Sequence, residues 1–187
     1  MISALDEKTA LVLIDLQKGI AGLPLAHPIA DILANAAKLV EAFRKAGLPV
    51  VIVNVNPAGA KWTSSRKDPA PAMGGGFKED WLEIVPEIKT EAGDIFITKH
   101  TWSAFYETAL DEKLKEKGVT GIVLAGVSTS IGVEGTGRSA SERGYNLSFA
   151  LDAMTDMHAD AHDRSVKYIL PRMGETGTTA DIIAKMG

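Results

Sequence analysis

Thr9-Ala-Leu-Val-Leu-Ile-Asp15-Leu-Gln17 decides the architecture of this chain. An unbroken apolar run, partly β-branched, ends abruptly in an acid. The run shows no alternation and is too short for a helix, so it reads as a strand buried on both faces. Such a strand belongs in the middle of a parallel sheet with helices above and below it.

Further apolar runs repeat the pattern. Val50–Val55, Asp94–Thr98, Gly121–Val127 and Asn146–Leu151 read as strands, and residues 175–178 offer a faint sixth. Between them lie helical patterns. Ile29, Ile32, Leu33, Ala36, Leu39, Val40 and Phe43 recur at helical spacing before the stop at Gly47. A short helix is expected around Trp81–Val85. Longer ones are expected over Glu107–Lys117, Ile131–Arg143 and Asp160–Leu170, and a last one from Thr179, where Thr178-Thr-Ala-Asp181 forms a cap. Asn56–Phe77 breaks the rhythm. A loop of that length, rich in Pro, Gly, Ala and Ser, suits a functional role better than a spacer.

Strands alternating with helices predict an α/β fold: a Rossmann-like three-layer sandwich, with a central parallel sheet of about six strands and helices on both faces. The 187 residues form one domain, 1–187, with no internal repeat.

Composition narrows the function classes. A net charge of -4, with no basic stripe, argues against a nucleic-acid surface. The apolar runs are too short to span a membrane, and the N-terminus carries no signal-peptide core. Cysteine is absent, which excludes disulfides, thiolate metal sites and thiol catalysis, and suits a reducing cytoplasm.

In parallel sheets, ligands bind outside the carboxyl ends of the strands. Asp15, Asn56, Lys99 and Ser128 all fall there. An Asp and a Lys brought to one sheet edge tune each other's ionisation, although either alone reads equally well as a solvated strand end. Leu124-Ala-Gly-Val-Ser-Thr-Ser-Ile-Gly132-Val-Glu134 runs from a strand through a tight turn into a helix, presenting N–H groups to an anion or oxyanion. Its plainer reading is a serine-rich helix cap. No Ser of this turn is read as a nucleophile, since no histidine lies nearby in sequence to activate it.

Two other patterns carry less. His158-Ala-Asp-Ala-His162 has metal-like spacing but reads as a capped, solvated helix start. Gly132-Val-Glu-Gly-Thr-Gly137 reverses the glycine order of a dinucleotide fingerprint, so it reads as close helix packing; nicotinamide-cofactor binding would show as a fluorescence change on titrating NADH.

Taken together, Asp15-Leu-Gln17, Lys99-His-Thr-Trp-Ser-Ala-Phe105-Tyr-Glu-Thr108, Gly126–Glu134, Arg143-Gly-Tyr and Asp152-Ala, followed by His162, resemble the isochorismatase-like or cysteine hydrolases over nearly the whole chain. Gly132 stands where most members carry the nucleophilic cysteine. The resemblance implies a cis peptide at Val127–Ser128 and catalytic roles for Asp15 and Lys99, with Gly132 closing the covalent route. It also implies vinyl-ether hydrolysis, as in true isochorismatases, on a small carboxylated substrate. Asp15 protonates the vinyl carbon, Lys99 orients it, and Gly132 leaves room for substrate or water. Gln17, Asn56, Arg66, Trp102, Phe105, Val127 and Ser128 are the candidate substrate contacts, with Trp62 and Phe77 as further pocket walls. Asn56 replaces a family glutamine, a departure that bears on the substrate. The metal-binding pattern of nicotinamidases is missing at Asn54-Val-Asn56, so neither metal nor other cofactor is expected. The implied assembly is a homodimer or larger homo-oligomer. A catalytically silent relative that binds a metabolite or a partner protein is the second reading.

Overall fold

The computed structural model describes residues 1–68 and 78–186. Phe77 and the end of the long loop therefore lie outside the described residues. Six strands, β1 (Thr9–Ile14), β2 (Val50–Val55), β3 (Ile95–Lys99), β4 (Gly121–Val127), β5 (Asn146–Thr155) and β6 (Glu175–Gly177), form one sheet in the order β3-β2-β1-β4-β5-β6. Every pairing is parallel. Chain order reverses between β1 and β4, which opens a crevice at their carboxyl ends.

β1 is buried along its whole length and sorts its side chains by parity. Ala10, Val12 and Ile14 join one core layer with Ile122, Leu124 and Phe149, while Leu11 and Leu13 join the other with Val50 and Ile52. The second layer is covered by α2 (Ile29–Lys45), which buries Ile32, Leu33, Ala36, Leu39, Val40 and Phe43. Phe43 is fully enclosed, so its truncation to Ala would cost about 3–5 kcal/mol. The first layer is covered by α3 (Leu110–Glu116) and α4 (Glu134–Glu142), and α6 (Thr179–Ile183) packs beside α2. Thr178 and Asp181 exchange the two bonds of a capping box at the start of α6, where the cap is expected.

Several elements differ from expectation. The segment 81–85 is not helical. Its carbonyl and amide groups pair with residues 16–19, through Lys18 N–H to Glu83 O, Gly19 N–H to Trp81 O and Val85 N–H to Leu16 O. α3 begins only at Leu110, because Glu107 sits at φ 52, outside helical space. The helix expected over 160–170 is α only at α5 (Ala159–Arg164). It widens into a π-helical turn at Ser165–Ile169 and tightens into a 3-10 turn at Leu170–Arg172, where Pro171 supplies no N–H. β5 runs on past Leu151 to Thr155, through a register shift against β4. A short α1 (Lys18–Ala21) also follows β1. Among the described residues, no helix is long and apolar enough to cross a membrane.

Candidate active site

Asp15 follows the last residue of β1, with its backbone turned to φ 53 and its N–H still bound to Val53 O. A non-glycine residue held in that region is strained, and such strain concentrates at functional sites. The turn aims its carboxyl group at the end of β3. Lys99 Nζ lies 2.8 Å from Asp15 Oδ2, and both side chains are almost wholly enclosed. Lys99 also donates to the Thr101 carbonyl at 3.0 Å.

The other carboxyl oxygen, Asp15 Oδ1, is buried and has no hydrogen-bond partner among the described residues. Burial dominates the electrostatics. Desolvation raises the Asp15 pKa from 3.8 to about 6, against the pull of the Lys99 charge and its hydrogen bond. A lysine partner alone would have left this acid ionised and unfit to donate a proton. Enclosure restores that capacity, and a group titrating at about 6 still carries its proton on about a tenth of molecules at pH 7.

The turn after β4 closes over the pair. The Val127–Ser128 peptide bond is cis, and a π-helical turn at Thr129–Val133 leads into α4. Gly126, at φ 118, lets β4 pass against the Ile14 backbone, an approach that no side chain would permit. Gly132 faces the acid. A Cβ built on it would stand 3.4 Å from Asp15 Oδ2 and 3.4 Å from Val127 O, in the direction a cysteine would take. It would also stand 2.8 Å from Ile14 Cγ2, so that methyl group would have to shift to admit a side chain there.

Asp15, Lys99, Val127 and Gly132 are thus brought together, with Ser128 adjoining. The turn's N–H groups are not all free for a ligand. Ser130 N–H donates to Asp156 Oδ2 at 2.7 Å, while Ile131 and Val133 donate to Ser128 O.

A cleft of about 520 Å³ has Lys61, Trp62, His100, Thr101, Tyr106 and Glu107 on its walls; Asp15 and Lys99 do not line it, and its link to the pair is the Lys99 bond to the Thr101 carbonyl. Asn56 reaches its rim through His100 Nδ1, 2.7 Å from Asn56 O, but Asn56 Oδ1 is occupied by Ala58 N–H.

Other candidates have different places. The Gln17 amide is fully buried and wholly engaged, accepting from Val55 N–H and donating to Val55 O and Trp81 O; it ties β2 to the 81–85 segment. Phe105 is a core residue, 5% exposed, stacked near Tyr145 and under the Arg143 guanidinium. Trp102 is 58% exposed and sits against Gly135, and Arg66 is exposed on the loop. His162, expected in a solvated helix, is instead buried and bonded to Thr129, while His158 is exposed. Thr101 left no sequence signal, because it acts through its carbonyl. Asp156 did leave one, as an acid closing a strand, but only once β5 is read to its true end.

The Isochorismatase domain family matches residues 9–181. The chain is 40% identical over 182 residues to an uncharacterized isochorismatase family protein, YwoC, of Bacillus subtilis (strain 168), covering 96% of this chain and 95% of that one. It is 29% identical to a maleamate amidohydrolase of Pseudomonas putida over 96% of this chain and 87% of that one. The structure of an isochorismatase family protein from Burkholderia thailandensis superimposes with a TM-score of 0.92 at 37% identity, covering 100% of this chain and 99% of that chain. With the family model matching residues 9–181 and relatives of this similarity, the chain belongs to the isochorismatase family of hydrolase-like α/β proteins.

Proposed function

We propose that this protein hydrolyses a small carboxylated metabolite by acid–base chemistry, without a covalent thiol intermediate. The observation that carries the reading is the Asp15 carboxyl. Burial raises its pKa to about 6, Lys99 holds one oxygen, and the other oxygen has no hydrogen-bond partner among the described residues. An acid in that state is equipped to give a proton to a substrate atom placed at Oδ1.

The reaction that fits is vinyl-ether hydrolysis of the isochorismate type. Asp15 protonates the terminal vinyl carbon and becomes a carboxylate paired with Lys99. The adjacent carbon becomes oxocarbenium-like, water adds to it, and Asp15 recovers its proton. The resulting hemiketal collapses to pyruvate and an alcohol. Lys99 stabilises the carboxylate form, so it assists the donation step. Amide hydrolysis, which relatives named amidohydrolases perform, has no thiolate route here because the chain contains no cysteine.

The absence of a nucleophile at Gly132, with Ile14 packed where its side chain would begin, also supports a second reading: a silent relative that binds a metabolite or partner protein. Pyruvate release from isochorismate separates the two. Turnover by the wild type and a fall of about 10²- to 10⁴-fold in Asp15→Asn is the expected result. No release by the wild type would set isochorismate aside and favour another substrate or the binding role.

A further inference from the structure

The turn that faces Asp15 is gripped from behind by buried polar groups that take no part in the proposed chemistry. Thr129 is fully enclosed, with its Oγ1 3.0 Å from the Thr155 carbonyl oxygen and 2.8 Å from His162 Nδ1. A carbonyl oxygen only accepts. The single Thr129 hydroxyl proton therefore goes to Thr155, and the His162 ring donates from Nδ1. The next residue is held by an acid. Ser130 N–H and Oγ–H both donate to Asp156 Oδ2, at 2.7 and 2.8 Å, and Met157 N–H donates to Asp156 Oδ1 at 2.8 Å.

His27 closes the far side. Its ring centroid is 4.7 Å from that of His162, and its Nδ1 is 2.8 Å from Thr155 Oγ1. Burial and the neighbouring His27 push the His162 pKa down, against the opposing charges of Asp163 and Asp156, so the ring holds Thr129 as a neutral donor.

The turn needs this grip. A π-helical turn is wide, and here the Ser128 carbonyl accepts from both Ile131 and Val133, so its own hydrogen bonds fix its position poorly. The same turn carries Gly132 against Asp15 and Ile14.

We propose that His162 and Asp156 are positioning residues, which hold the 128–132 turn down over Asp15 through Thr129 and Ser130 and so keep water off the acid. The proposal rests on the reading of Asp15 as the proton donor. Neither residue touches the reacting atoms, and their effect is exerted through the dryness of the Asp15 carboxyl.

The test uses NMR on the full chain. In the wild type, nitrogen shifts of His162 report a proton on Nδ1. In His162→Ala, the clamp on Thr129 is lost, water reaches Asp15, and its carboxyl titration midpoint moves down by about one pH unit toward the ordinary carboxylate range. His162→Asn, whose side-chain amide places a donor near the Nδ1 position, restores the midpoint. A residue that only stabilised the fold would leave the midpoint of the folded variants unmoved. Should His162→Ala not fold, Thr129→Val keeps the shape, removes the hydroxyl, and is read the same way. A wild-type proton on Nε2 alone, an unchanged midpoint in the folded variant, or an equal fall in His162→Asn overturns the proposal. The wild-type midpoint judges Asp15 as an acid, while the difference between variants judges the clamp, so the two ideas fail separately.

Discussion

Two aspartates follow the ends of two strands at the same edge of the sheet, and they do opposite things. Asp15, after β1, and Asp156, after β5, are both buried, at 4% and 1% exposure. Asp156 has both oxygens filled by N–H and O–H donors from Ser130 and Met157. Asp15 has one oxygen on Lys99 and the other without a hydrogen-bond partner among the described residues, on a backbone turned into the left-handed region. A buried carboxylate whose acceptor sites are all satisfied is a clasp for the chain. One with an open oxygen and little solvent is a place where a proton or a substrate can sit. Local sequence does not separate them, since both are acids closing apolar strands; the partners do.

The largest test of that contrast is catalytic. Asp15→Asn keeps the shape and removes the proton, so turnover should fall by about 10²- to 10⁴-fold in a steady-state assay, while circular dichroism stays native. Next comes stability against pH. Asp15 binds its proton more tightly when folded, at about 6, than when unfolded, near 3.8. Its contribution is therefore complete below pH 4 and is lost as pH rises through about 6. Denaturant unfolding should show the wild type losing about 2 kcal/mol relative to Asp15→Asn between pH 4 and pH 7. At the other aspartate, Asp156→Ala leaves Ser130 and Met157 donors unpaired and should destabilise by about 2–3 kcal/mol. An effect no larger than that of an exposed acid such as Glu41 would erase the distinction. Last, Gly132→Ala forces a methyl group toward Ile14 and should cost about 1–2 kcal/mol by the same unfolding measurement.

Much of the fold was legible because strands buried on both faces leave apolar runs that nothing else explains. The parity of Leu11 and Leu13 against Val12 and Ile14 was not needed to find β1. β5 shows where that method stops. Asp152 interrupts its apolar run, so the strand reads as ending at Leu151. In the fold, that carboxylate caps α6 through Thr179 N–H and Oγ1, and its carbonyl accepts from Asn35, which makes a polar residue acceptable in mid-strand. The missed end of β5 is also why Asp156 went unremarked as a strand-end acid. The Asp15–Lys99 pair was readable, since both residues close buried strands. The work of Gln17 was not, because its partners Val55 and Trp81 lie 38 and 64 residues away. Phe105 follows the motif lysine closely in sequence, yet α3 and Tyr145 draw it into the core.

The central claim is that enclosure, working against Lys99, keeps Asp15 a proton donor near neutral pH. A carbon-13 NMR titration of the Asp15 carboxyl, in the wild type and in Lys99→Met, tests it directly. The account predicts a midpoint of about 6 in the wild type and a higher one in Lys99→Met, where the lowering charge is gone. A wild-type midpoint in the ordinary carboxylate range, near 4, would contradict it.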